Sequence, residues 1–153
     1  MHTHTDGLDG RDAIAALVPH QGLMCLWEQV VAWDAQRIVL RSQAHRSVEH
    51  PLRCGQRLRA LHLCEYGAQA MAVHGGLLGR AAGMPVRPGM LVALRGVQLH
   101  VTDLHDLPQA IECEAEVLLQ MESGQQYAFR IVHAGQPLAE GRATVMPGTA
   151  ERA

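Results

Sequence analysis

Residues 60–78 read ALHLCEYGAQAMAVHGGLL, a run of Ala, Leu, Met and Val that suits a helix apolar nearly all the way round. A helix of that kind is normally buried. At about 100° per residue, His62, Glu65 and Gln69 fall within a sector of roughly 60°, so three polar groups line one narrow stripe of an otherwise apolar rod. A buried carboxylate left unpaired costs several kcal/mol or takes up a proton, which points to a tuned acid. A Glu hydrogen-bonded by Gln69 one turn on, with a purely structural role, fits the same stripe.

The segments around this run predict helix, strands, long helix, strands. Residues 11–18 read as a short amphipathic helix with Asp9 as N-cap, stopped by Pro19. Residues 23–32 and 37–44 read as strands around an Asp34-Ala35 turn, and 45–59 as a loop punctuated by Pro51 and Gly55. Gly75, Gly76 and Gly79 are expected to loosen the helix end, and residues 80–89 to form a connecting loop ending in Pro88-Gly89. Strands follow at 90–101, 109–121, 125–133 and 137–146. In Ile111-Glu112-Cys113-Glu114-Ala115-Glu116-Val117 the acids alternate with apolar residues, as in a strand with one wet face. A curved antiparallel sheet needs a cover for its apolar face, and only the long helix is apolar enough. The expected architecture is therefore α+β, one long helix wrapped by about six strands, in a single domain over residues 1–153 with 1–8 poorly ordered.

Composition narrows the function. The chain has 153 residues, enough for a substantial core, and no apolar run long enough to span a bilayer. Its start, MHTHTDGLDGRD, has no hydrophobic segment of the signal-peptide kind, so a cytoplasmic location is expected. Cys25, Cys54, Cys64 and Cys113 form no CxxC pair and read as small buried hydrophobes. Every basic residue is Arg, and Arg53, Arg57 and Arg59 crowd together before the long helix with no acidic neighbour in sequence. With net charge −2 and 3 % aromatic residues, nucleic acid is a poor partner and a small acidic or phosphorylated one a better fit. An Arg-rich solvated loop with no partner fits these three residues equally well.

Four stretches carry a resemblance: Pro19-His20-Gln21-Gly22-Leu23-Met24, Glu49-His50-Pro51-Leu52, Glu65-Tyr66-Gly67-Ala68-Gln69-Ala70-Met71 and Leu138-Ala139-Glu140-Gly141-Arg142-Ala143. In order and spacing the chain resembles the hotdog-fold 3-hydroxyacyl-[acyl-carrier-protein] dehydratases, in particular the branch associated with aryl-polyene clusters. The resemblance implies that His50, in the loop before the helix, acts with Glu65 on it, and that Gln69 orients the carboxyl group. It implies a backbone donor to the thioester carbonyl at about Ala60, a structural role for His20, and carrier-protein contacts for Arg53, Arg57 and Arg59. It also implies a dimer, homomeric or with another hotdog subunit, in which His50 of one chain faces Glu65 of the other. The better-known members have Gly-His-Phe-Pro where this chain has Glu49-His50-Pro51-Leu52, a Pro-Gly turn where it has Arg59-Ala60, and an Arg where it has Gln21. His62, one turn before Glu65, is a competing partner for the acid.

The implied chemistry needs such a pair. Eliminating water from a 3-hydroxyacyl thioester takes a weakly acidic proton from C2 and protonates hydroxide leaving C3. A His base and a protonated carboxyl suit the two tasks, each typically worth ~10²–10⁴-fold. No cofactor is expected, since the substrate brings its own phosphopantetheine arm, and no metal, although His50, His62 and Glu65 are a possible ligand set. The acyl chain would lie along the helix, with Gly75, Gly76 and Gly79 leaving room for it or serving close packing instead. Two rivals remain open: a hotdog thioesterase, and a catalytically silent partner subunit of a hotdog heterodimer.

Overall fold

The computed structural model describes residues 7–84 and 89–147. The N-terminal His2 and His4 and the Pro88 of the expected turn lie outside the described residues. Seven strands form one antiparallel sheet: β1 (Leu8–Asp9), β2 (Gln29–Trp33), β3 (Arg37–Ser42), β4 (Gly89–Leu99), β5 (Ile111–Met121), β6 (Gly124–His133) and β7 (Gln136–Pro147). Their order across the sheet is β1-β2-β3-β5-β6-β7-β4, which leaves the long strand β4 at one edge. A short helix α1 (Arg11–Ala15) precedes β2, and the long helix α2 (Leu63–Ala81) packs on the sheet against β3, β5 and β6.

The sequence pattern accounts for the layering. Ile111, Cys113 and Ala115 of β5 are buried under α2, while the alternate Glu114 and Glu116 face water. On that outer face Glu114 meets Arg37 at 2.9 Å and Glu112 pairs with Arg41. The inner face joins Leu63, Tyr66, Ala70, Val73 and Leu77 of α2 to Ile38, Leu40 and Ile131 in one core. At the β2–β3 turn Asp34 Oδ1 accepts from the N–H groups of Gln36 and Arg37, which fixes the expected reversal.

Several boundaries differ from expectation for identifiable reasons. Asp9 pairs with Gln29 in β1, a seventh strand, so the N-cap of α1 is Gly10 at φ 99°. Strand β2 starts at Gln29 because the backbone before it is bonded elsewhere. Gly22–Met24 is a 3₁₀ turn, and the Met24 C=O and Leu26 N–H are both taken by the Gln69 side chain. Residues 60–62 form a separate 3₁₀ turn before α2. The three glycines do not loosen α2, which runs past them and closes with Gly83 at φ 68°, donating to Arg80 C=O at 3.0 Å, and Met84 N–H donating to Gly79 C=O at 2.9 Å. Among the described residues no helix is long and apolar enough to cross a membrane. Cys25 and Cys113 are buried as expected, whereas Cys54 is exposed; all four cysteines are free.

The glycines of α2 do two different jobs. A Cβ on Gly76 would stand 2.7 Å from the Leu17 carbonyl oxygen, and one on Gly67 2.9 Å from the Phe129 ring. These close approaches seat the α1 turn and β6 on the helix. At Gly75 a Cβ would meet nothing within 4 Å. Gly67→Ala and Gly76→Ala should each destabilise the fold by about 1–3 kcal/mol through overpacking, while Gly75→Ala should stabilise it by up to about 1 kcal/mol through helix propensity. Chemical denaturation of the three variants measures this, and equal effects at Gly75 and Gly76 would contradict the assigned packing.

Candidate active site

Gln69 organises the polar stripe of α2. It is buried, its Oε1 accepts from Leu26 N–H at 2.9 Å, and its Nε2 donates to Met24 C=O at 2.8 Å and to Glu65 Oε1 at 3.1 Å. Both amide hydrogens and the oxygen are thus used, and the amide orientation is fixed by its backbone partners. The expected positioning of Glu65 by Gln69 is present in the geometry. Glu65 is not buried, however: its side chain is 37 % exposed, because it stands at the mouth of a cleft rather than against the sheet.

That cleft, of about 180 Å³, is lined by His20, Glu65, Ala68, Ala72, Gly89, Leu91 and Val145. Ala72, Gly89 and Val145 also line a second, more apolar hollow of about 390 Å³, walled by Met71, Gly75, Leu78, Gly79, Met84, Met121 and Met146. On α2 the sequence Glu65, Ala68, Ala72, Gly75, Gly79 steps by three and four, one face of small residues headed by the carboxylate. From Glu65 to Gly79 this face runs about 21 Å at 1.5 Å per residue. Gly75 and Gly79 therefore leave room, and Gly76 serves packing, which divides the three glycines between the two roles expected of them.

The structure distributes the histidines unexpectedly. His50 is 5 % exposed; its Nδ1 accepts from Leu52 N–H at 3.1 Å and its Nε2 bonds the Tyr66 hydroxyl at 2.9 Å. Neutral His50 thus carries its proton on Nε2 and donates it to Tyr66, whose ring stacks on it with centroids 6.0 Å apart. Burial, with Arg53 and His62 nearby, lowers its pKa to about 4. Within the chain His50 meets Tyr66, and Glu65, the preceding residue on the helix, points into the cleft. The imidazole beside Glu65 belongs to His20, with Nε2 3.4 Å from Oε1. Nothing in the spacing of Pro19-His20 pairs it with a helix residue 45 positions on. The contact exists because Gly76 lets the α1 turn approach α2, and because Gln21 Nε2 ties the loop to Ala15 C=O at 2.9 Å and Val18 C=O at 3.2 Å.

Other expected site groups are committed internally. The Ala60 N–H donates to Thr102 C=O at 2.9 Å, so it is not free to meet a thioester oxygen. Arg57 forks onto Asp103, with Nη2 3.0 and 3.1 Å from the two oxygens, a partner supplied from outside its own loop. Arg53 donates to the carbonyls of His45, Arg46 and Gln56. Arg59 is exposed and, among the described residues, is the member of the trio whose side chain has no such partner. A further buried histidine, His74, was hidden in the apolar run; it links Tyr127 Oη at 2.7 Å to Asp34 C=O at 2.7 Å and braces α2 against β6 and the β2–β3 turn.

A helix lying on a curved antiparallel sheet, with a carboxylate heading an apolar groove, is the hotdog arrangement, and comparison with known proteins assigns the group. Residues 12–153 match the model of the ApeP-like family, described as ApeP dehydratase. The chain belongs to the ApeP-like dehydratase family. Among solved structures it is similar to the dehydratase heterocomplex ApeI:P from Xenorhabdus doucetiae, with TM-score 0.80 and 23 % identity over 89 % of this chain and 91 % of that one. It is less similar to a hypothetical thioesterase with coenzyme A from Streptococcus pneumoniae, with TM-score 0.55 and 14 % identity over 78 % of this chain and 83 % of that one. A thioesterase from Staphylococcus aureus gives TM-score 0.54 and 12 % identity over 78 % and 92 %. At these identities the structures show the shared hotdog fold. The search of curated proteins gave no match.

Proposed function

We propose that this ApeP-like chain removes water from 3-hydroxyacyl thioesters carried on acyl-carrier protein, giving trans-2-enoyl thioesters for fatty-acid- or polyene-type biosynthesis in the cytoplasm. The observation that carries the reading is Glu65, held by Gln69 at the head of a helix face of small residues about 21 Å long that lines two adjoining hollows. An acyl chain laid along Ala68, Ala72, Gly75 and Gly79 puts C3 of its head end beside the carboxyl group. Glu65 then gives a proton to the departing hydroxyl, and the substrate's phosphopantetheine arm reaches out to the carrier. The elimination itself calls for no resident cofactor. Incubation with a 3-hydroxyacyl carrier thioester should give a product lighter by one water with the acyl group retained. Loss of the whole acyl group would replace this reading by that of a thioesterase.

Carrier docking falls to Arg59, since Arg53 and Arg57 already hold backbone carbonyls and Asp103. Arg59→Glu should lower kcat/KM for the carrier-bound substrate several-fold at low salt, less at high salt, and leave a small carrier-free thioester nearly unaffected. Equal effects on both substrates would return Arg59 to the role of a solvated side chain.

A hotdog partner completes the proposal. Strand β4 ends the sheet with Met90, Leu91, Val92 and Leu99 exposed, an apolar open edge of the kind that natural sheets pair or cover. The similar dehydratase is a heterocomplex, which supports a second hotdog chain, identical or different, on this edge. The buried, doubly bonded His50 also favours a second reading, in which this chain is the silent subunit of such a pair. Dehydration by the chain alone argues against that reading; activity that requires the partner and survives Glu65→Gln in this chain argues for it.

A further inference from the structure

Among the described residues, the cleft has besides Glu65 one group able to take a proton from carbon, and it belongs to the same chain. His20 lies in the wall of the cleft with its side chain 29 % exposed, its Nε2 3.4 Å from Glu65 Oε1. Its Nδ1 is shielded from solvent and has no hydrogen-bond partner among the described residues, so Nε2 is the nitrogen that faces a reacting atom. The loop is not adventitious: Gln21 ties it to the end of α1, and the Gly76 contact seats the Leu17 turn after α1 on α2. Among the described residues, Glu65 is met by Gln69 and His20, both on Oε1, which leaves Oε2 to carry the acidic proton towards the substrate. His50, by contrast, has one nitrogen accepting from Leu52 and the other bonded to Tyr66.

We propose that His20 is the base that removes the C2 proton, working in cis with Glu65 across one cleft. This rests on the dehydratase reading. His20 Nε2 takes the proton from C2, and the electron pair of that C–H bond becomes the C2=C3 π bond. The C3–O bond breaks with its electron pair on oxygen, which takes the proton of Glu65 Oε2 and leaves as water. His20 is then protonated and Glu65 ionised. Transfer of the His20 proton to Glu65 over the 3.4 Å contact restores both groups, so the dyad resets without a partner chain or solvent.

The test reads proton removal apart from dehydration. The full chain, with its hotdog subunit present if dehydration needs one, is incubated in D₂O with a saturated acyl thioester, which has a C2 proton but no leaving group. Deuterium uptake at C2 is followed by mass. His20→Ala and His20→Gln should each lower uptake and dehydration by at least about 100-fold. Gln keeps a polar group beside Glu65 Oε1 but cannot accept a proton from carbon, so its failure separates proton transfer from positioning. Added imidazole should restore part of the uptake to His20→Ala and none to His20→Gln, whose side chain still fills the space. Thermal melts identify any variant that has failed to fold; His20→Asn then replaces it. Near-normal uptake in a folded His20 variant overturns the inference while leaving the dehydratase reading intact. A wild-type protein that hydrolyses thioesters without exchanging or dehydrating them overturns that reading, and the inference with it.

Discussion

Glu65→Gln should lower dehydration by about 10²–10⁴-fold while changing KM little, because it removes a proton donor needed only as the C3–O bond breaks. The substitution is nearly isosteric, and the oxygen of the introduced amide can go on accepting from Gln69 Nε2, so the site keeps its shape. Glu65 is partly exposed, and a surface change of this kind shifts stability by no more than about 0.5 kcal/mol. Loss of rate with an unchanged melting temperature is therefore the expected signature. Gln69→Leu should act differently: it strips the Met24 carbonyl and the Leu26 N–H of their buried partner, so stability and activity fall together. Full activity in Glu65→Gln would remove the carboxyl group from the chemistry and leave the groove as a binding feature alone.

What could be read from the chain was what local periodicity determines. The alternation of Ile111, Cys113 and Ala115 with acids announces β5 and its wet face, and the stripe of Glu65 and Gln69 is visible on any helical wheel. Most of the differences come from contacts distant in sequence. Strand β2 begins later than its pattern suggests because nothing near Leu26 announces that its N–H is reserved for a side chain 43 residues on. Arg57 has no acid near it in sequence, but the fold delivers Asp103. The half-exposure of Glu65 depends on where β4 and β7 stop covering α2, which the helix itself does not encode. His20 is the sharpest example. Its motif is legible, yet its place beside Glu65 depends on Gly76, whose missing Cβ brings the Leu17 backbone against the helix. A glycine among three can be a gap or a joint, and only the facing element decides which.

The protein should be acid-labile between pH 6.5 and about 4. Three histidines, His45, His50 and His74, are buried in their neutral forms, and burial is the leading cause that lowers the pKa of each, to about 4 for His50. Each donates its ring N–H: His45 to Leu107 C=O at 2.9 Å, His50 to the Tyr66 hydroxyl and His74 to Asp34 C=O. A second proton on any of them would be held in the core, where the cost of burial outweighs the pull of Glu28 on His45 and of Asp34 on His74. In the unfolded chain these residues titrate near 6.5, so on acidification the unfolded state binds protons first. Their contribution is fully present above pH 6.5 and is lost as the pH falls through the folded pKa values. For His50 alone the gap from 6.5 to about 4 corresponds to about 3 kcal/mol, and His45 and His74 act in the same direction. Against a total stability of about 5–15 kcal/mol, that is enough to bring unfolding into the weakly acidic range. Urea midpoints at pH 7.5, 6, 5 and 4.5 should fall steadily, with more than one proton taken up per molecule unfolded. His50→Gln should lower the midpoint at pH 7.5 and flatten the slope below 6.5, because the lost bonds matter at every pH whereas the buried titration is gone. A midpoint that stays level from pH 7.5 to 4.5 would mean that the three imidazoles are not held neutral by the core, and the packed role assigned to His50 would fall with it.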